Sequence, residues 1–126
     1  MTFLLSIDAG TSGVRAALFD ERGAFVPDAQ ARNRRAFTSV SDFAELDADQ
    51  IVAEVVAAID ELLAKFTDRI ELIAISAFWH SLIGVDDAGS PTTPLLTWAD
   101  TRAARFAKNL RADFVPPVTN SQRAPL

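Results

Sequence analysis

The 126-residue sequence contains no cysteine. Disulfides and thiolate metal sites are therefore excluded, and a reducing compartment such as the cytoplasm is expected. Positive charge is also scarce. The net charge is −5, and beyond Arg32-Asn33-Arg34-Arg35 no basic cluster stands out, so no nucleic-acid partner is expected. No apolar run approaches the ~20 residues of a membrane span. The start, Met1-Thr2-Phe3-Leu4-Leu5, has no basic flank, and Asp8 interrupts its apolar run early. Neither a membrane segment nor a signal peptide is expected. The Gly-Lys-Ser/Thr ending of a P-loop is missing, as is G-x-G-x-x-G. What is present is a 49% apolar chain, long enough for one domain with a core.

The chain is organised around Leu4-Leu5-Ser6-Ile7-Asp8-Ala9-Gly10-Thr11-Ser12-Gly13-Val14-Arg15-Ala16-Ala17-Leu18-Phe19-Asp20. This reads as strand, turn, strand, with Asp8 at the mouth of the turn. Gly10 and Gly13 permit positive φ and close approach to the backbone. Thr11 and Ser12 offer hydroxyls and N–H groups that can form an anion-binding concavity. Asp8 would sit where a magnesium ion could bridge carboxylate, water and phosphate. Arg15 adds positive charge.

Phe3 to Asp8 and Val14 to Asp20 are expected to be antiparallel strands, with a turn at Asp20-Glu21-Arg22-Gly23. A third strand follows from Ala24 to about Phe37, irregular at Pro27, with Arg32, Arg34 and Arg35 as a solvated face. Asp47 reads as an N-cap, with Gln50 completing a capping box. The helix behind it runs to about Phe66 on a stripe of Ile51, Val55, Ile59 and Leu63, widened by Val52, Val56 and Phe66. Glu54 falls on the wet face. Ile70 to Ala77 is a strand of the buried type, expected to lie parallel to the first. The order β-β-β-α-β is the start of a ribonuclease-H-like, or actin-like ATPase, α/β architecture. In such sheets ligands gather at the carboxyl ends of the parallel strands. Asp8 and the stretch after Ala77 then share one rim.

That stretch, Phe78-Trp79-His80-Ser81, joins two aromatics to the only histidine. An inserted hairpin, Leu82 to Val85 and Thr93 to Thr97, brings it near Trp98-Ala99-Asp100-Thr101-Arg102. A last helix starts at about Thr101, capped by Asp100 or Thr101. Indole faces stack on sugar C–H faces, and charged groups pair with hydroxyls. The bland alternative has Trp79 and Trp98 in the core, His80 as a structural histidine, and Asp100 with Arg102 as a helix-cap ion pair.

Two motifs give the chain a family resemblance. Ile7-Asp8-Ala9-Gly10-Thr11-Ser12-Gly13-Val14-Arg15 resembles the first phosphate loop of the sugar kinase, Hsp70 and actin superfamily, D-x-G-T-[ST]-x-x-[KR]. Ile75-Ser76-Ala77-Phe78-Trp79-His80-Ser81-Leu82-Ile83, with Pro94-Leu95-Leu96-Thr97-Trp98-Ala99-Asp100-Thr101-Arg102, is similar to the sugar-site segment of FGGY carbohydrate kinases, most of all the gluconokinase branch. The resemblance implies ATP and Mg²⁺ as cofactors and a sugar or sugar acid as substrate, gluconate first and xylulose second. It implies that Asp8 helps hold Mg²⁺, that Gly10, Thr11, Ser12 and Arg15 face phosphates, and that His80, Trp98, Asp100 and Arg102 lie at or near the sugar. Trp79 stands where the family commonly has Met, and would reshape the sugar pocket.

Family members are several times longer. Residues 1–114 resemble the amino-terminal part of their first domain, an incomplete domain, and 115–126 read as a disordered tail. The second phosphate loop, the adenosine site and the general-base aspartate would lie in a missing carboxy-terminal half. The piece alone is expected to be inactive. Two other functions compete: a non-catalytic relic or binding module, and a ribonuclease-H-type nuclease, which needs several acids clustered on the rim.

Overall fold

The computed structural model describes residues 2–37 and 39–114. Its elements are β1 (Thr2–Gly10), β2 (Gly13–Asp20), β3 (Phe25–Arg34), β4 (Glu45–Leu46), α1 (Ala48–Leu63), β5 (Arg69–Ala77), β6 (Leu95–Leu96) and α2 (Ala104–Phe114). Four strands form one sheet in the order β3-β2-β1-β5. β1 pairs antiparallel with β2 and parallel with β5, joining Phe3 to Ile70 and Asp8 to Ser76. The expected β-β-β-α-β unit is present. The tail expected over 115–126 lies outside the described residues.

Alternation along the strands decides which face is covered. Phe3, Leu5, Ile7 and Ala9 of β1 are buried, as are Val14, Ala16 and Leu18 of β2 and Ala29 and Ala31 of β3. Helix α1 lies on that face, over β2 and β3. The alanines of β3 and Ala58 of α1 all belong to this core, and small side chains let helix and sheet approach closely. Pro27 sits in an edge strand, where no ladder hydrogen bond is demanded of it on the outer side. The β2–β3 register shifts between Ala17 and Phe19.

Several expectations need correction. Asp47 caps α1, accepting from Asp49 N at 2.9 Å and Gln50 N at 3.1 Å, but the Gln50 amide donates to Glu54 instead of reaching back. The capping box is therefore half formed. The helix ends at Leu63, not near Phe66, and Leu62 is buried while Leu63, Val52 and Val56 are exposed. A stripe drawn every fourth residue drifts off a 3.6-residue period, which explains the change from Leu63 to Leu62. The last helix starts at Ala104, three residues later than expected.

β5 differs most. It pairs with β1, with one register shift between Phe3 and Leu4, but is exposed along nearly all its length. Its core-side residues Ile73 and Ile75 continue the level of Leu5 and Ile7, yet α1 sits over β2 and β3 and leaves them open. Between α1 and β5 runs a wholly apolar groove of about 360 Å³, lined in part by Ile51, Val52, Val55, Val56, Ile75 and Phe78. The inserted hairpin is looser than expected. Leu82 and Leu96 exchange backbone hydrogen bonds, and Val85 bridges to Pro91, but no strand forms over 82–85. The returning segment, β6, pairs instead with β4.

Candidate functional site

The β1–β2 turn is braced from beneath. Gly13 has φ +139°, and a Cβ there would lie 2.0 Å from the Asn33 carbonyl oxygen. Only glycine allows β3 to pass so close. Gly10 has no such constraint, and a Cβ there would meet only ordinary contact at 3.9 Å. Arg35, just past β3, donates its backbone N–H to the Ser12 carbonyl at 2.9 Å. Its Nη1 donates to the carbonyl oxygens of Gly10 at 3.2 Å and, more weakly, Thr11 at 3.5 Å. Nε and Nη2 of the same guanidinium bind both carboxylate oxygens of Glu54 on α1. The Asn33 amide adds a bond to the Glu54 carbonyl at 3.0 Å.

This brace has a consequence for the loop. All peptide bonds described are trans. In a trans peptide the N–H points opposite to the C=O. Because the Gly10 and Thr11 carbonyls turn toward Arg35, the N–H groups of Thr11 and Ser12 turn the other way. A concavity of about 240 Å³ is lined by Asp8, Gly10, Thr11, Ser12, Gly13, Arg15, Arg32 and Asn33. Within it Arg15 donates to Asp8 at 2.7 Å, both side chains being well exposed.

The second part of the rim starts where β5 ends. Trp79 and His80 form a tight turn held by a Ser81 Oγ bond to the Trp79 carbonyl at 3.2 Å. His80 has φ +51°, in the left-handed region that non-glycine residues seldom occupy. Its ring meets the Trp79 ring edge-on at 5.8 Å. Trp98 follows β6 and the buried Thr97, whose hydroxyl donates to the Ala44 carbonyl at 2.8 Å. Trp79 is 78% exposed and Trp98 64%. Neither is packed into the core of the described residues. A concavity of about 190 Å³ is lined by Gly10, Thr11, Phe78, Trp79 and Trp98. It shares Gly10 and Thr11 with the concavity around Asp8. That size is below the ~300 Å³ at which ligand pockets begin.

Asp100 and Arg102 do a different task. Arg102 Nε donates to both Asp100 oxygens at 3.0 Å, and Nη2 bonds to both Asp100 and Glu45. Its guanidinium carbon lies 4.3 Å from the centroid of the Phe43 ring. Asp100 also accepts from Ala44 N at 3.2 Å. The Arg102 hydrogen bonds, helped by those from the backbone, lower the Asp100 carboxyl to about 2 against the opposing effect of burial. The same pairing raises Arg102 above its ordinary value. Asp100 does not cap α2; its Oδ1 accepts from Arg102 N within its own turn. Together these contacts fasten the segment from Phe43 to Glu45 against the one carrying Trp98.

Asp8, Gly10, Thr11, Ser12 and Arg15 thus line one concavity, and Trp79 and Trp98 adjoin it across Gly10 and Thr11. His80, Asp100 and Arg102 line neither. Sequence reasoning missed Arg35, Glu54, Phe43 and Glu45. Arg35 is corrected from a solvated face to a side chain only 9% exposed. Its partners lie 19 and 25 residues away in the chain, a separation no periodicity reveals.

The family model for the FGGY family of carbohydrate kinases, N-terminal domain, matches residues 3–123. The chain is 29% identical over 114 residues to a gluconokinase of Bacillus subtilis (strain 168), covering 90% of this chain and 22% of that one. It is 32% identical over 114 residues to a glycerol kinase of Acinetobacter baylyi, covering 87% and 23%. The crystal structure of a xylulose kinase from Lactobacillus acidophilus superposes with a TM-score of 0.79 at 26% identity, covering 90% of this chain and 23% of that chain. The chain therefore spans about a fifth of the length of the curated relatives it matches.

Proposed function

The chain belongs to the FGGY family of carbohydrate kinases, and from that premise we propose that residues 1–114 are the amino-terminal part of the first domain of an ATP-dependent cytoplasmic kinase for a sugar or sugar acid. The observation that carries this is the shared edge of the two concavities at Gly10 and Thr11. A phosphate loop and an aromatic sugar wall must meet if a hydroxyl is to attack a terminal phosphate.

The contacts support the following roles. The N–H groups of Thr11 and Ser12, turned outward by Arg35, donate to phosphate oxygens. Gly10 leaves room for the phosphates, and Arg15 adds charge. Asp8 offers one carboxylate, and among the described residues no set of three His, Cys, Asp or Glu converges. That donor set fits Mg²⁺, which takes one or two carboxylates and fills its shell with phosphate and water. When bound, Mg²⁺ neutralises charge on the transferring phosphoryl group. The indoles of Trp79 and Trp98 stack on the sugar, and His80, whose ring meets Trp79 edge-on, helps fix the Trp79 indole. Asp100 and Arg102 hold the Trp98 segment in position.

Gluconate is the favoured substrate and xylulose the second, from the His80-Ser81-Leu82 and Trp98-Ala99-Asp100 motifs. In a full-length kinase the remainder of the protein, beyond the fifth that this chain spans, would supply the general base and adenosine site and cover the apolar groove between α1 and β5. A two-metal nuclease fits less well, because the Glu54 carboxylate is largely buried against Arg35, whereas Asp8 is exposed in its pair with Arg15.

The test uses the two tryptophans, the only ones in the chain. Gluconate should shift or quench their emission, with a weaker response to xylulose and none to glycerol. With Mg²⁺-ATP and the same sugars, the 126-residue chain should release no sugar-dependent ADP. A response to glycerol alone would overturn the substrate assignment.

A further inference from the structure

One row of side chains crosses the sheet at a single level. Ser76 on β5 is the register partner of Asp8 on β1, Asp8 of Arg15 on β2, and Arg15 of Arg32 on β3. The neighbouring level, Ile7, Ala16 and Ala31, is buried under α1. Strand alternation therefore sends Asp8, Arg15 and Arg32 to the opposite face together.

The charges in this row do not balance. Arg15 is paired with Asp8. Among the described residues Arg32 has no carboxylate, carbonyl or ring partner. Like charges directly opposite across a strand pair are destabilising. Two guanidinium groups nonetheless share one concavity with a single carboxylate and the backbone of the loop. An anion with several oxygens is the chemistry that would satisfy such a set.

We infer that Arg32 is a second cationic contact for the phosphate chain of the nucleotide, forming with Arg15 a two-guanidinium clamp on the loop. This rests on the reading of the β1–β2 turn as a phosphate loop. The like-charge pair costs stability in the free protein and is relieved when a polyphosphate enters.

The test is titration of the full 126-residue chain with Mg²⁺ and inorganic tripolyphosphate, followed by calorimetry and by thermal unfolding. Arg32→Gln should weaken binding about two- to fivefold, the range for one charged contact at an exposed site. Arg15→Gln should weaken it at least as much. Arg22→Gln, in the turn at the far end of the sheet, should change nothing. Arg32→Gln should also leave the unliganded chain equally or more heat-stable while shrinking the rise in Tm that tripolyphosphate gives. Arg32→Lys, which keeps the charge, should retain most of the binding. If Arg15→Gln weakens binding and Arg32→Gln does not, the clamp is wrong and the phosphate loop stands. If the unsubstituted chain shows no binding, or Arg15→Gln has no effect, the loop reading fails and takes the clamp with it.

Discussion

Arg35 donates to the carbonyl oxygen of Gly10 at 3.2 Å across 25 residues of chain. Through this bond and its pairing with Glu54, the first helix holds the turn between the first two strands. The carbonyl oxygens of the turn are held by Arg35, itself fixed by Glu54.

Removing one partner of this nearly buried pair leaves the other unsatisfied. Arg35→Met or Glu54→Gln should each destabilise the chain by about 3 kcal/mol. The check is urea unfolding, where the midpoint should fall with the slope unchanged. A double substitution should cost less than the sum of the two, because the partners act as one unit.

The two loop glycines should behave differently. Gly13→Ala meets the Asn33 carbonyl at 2.0 Å with φ at +139°, and should cost about 2 kcal/mol or more. Gly10→Ala has room for its Cβ and should cost less than about 1 kcal/mol. Equal losses would contradict the close approach of β3.

Asp100 makes the fold acid-sensitive in a defined window. Its folded-state pKa, about 2, is below the ordinary carboxylate value, so its stabilising effect is complete above the unfolded pKa of about 4. That contribution is lost as pH falls from about 4 toward 2. Asp100→Asn should lower stability at neutral pH and flatten the loss of stability through that window. Acid titrations of both proteins followed by circular dichroism make the comparison.

Much of the architecture could be read from residue order alone. The apolar runs around Asp8, the Asp47 cap and the run from Ile70 to Ala77 each carry a strong local pattern, and the parallel β1–β5 pairing follows from the helix between them. Local pattern says nothing of what lies above a strand. β5 has the composition of a buried strand, but no described element covers it. The Arg32-Asn33-Arg34-Arg35 run was equally opaque. One of its arginines is buried against Glu54 and another lines the concavity around Asp8, and only the three-dimensional register separates them.

The exposure of β5 leads to a further expectation. Ile75→Ala in this chain should cost under about 1 kcal/mol, because Ile75 is already 67% exposed, whereas Leu5→Ala should cost about 2–5 kcal/mol. In a full-length kinase carrying this segment the Ile75 change should become markedly more costly, as measured by thermal unfolding. An unchanged cost there would mean that the groove stays open in the whole protein.

The deciding measurement is turnover of a chimaera in which residues 1–114 replace the matching segment of the Bacillus subtilis gluconokinase. Gluconate-dependent ADP release should fall at least about 100-fold in kcat with Asp8→Asn, while gluconate affinity stays within about twofold, if the carboxylate acts on the metal–phosphate complex and not on the sugar. A folded chimaera whose kcat is untouched by Asp8→Asn would contradict that role.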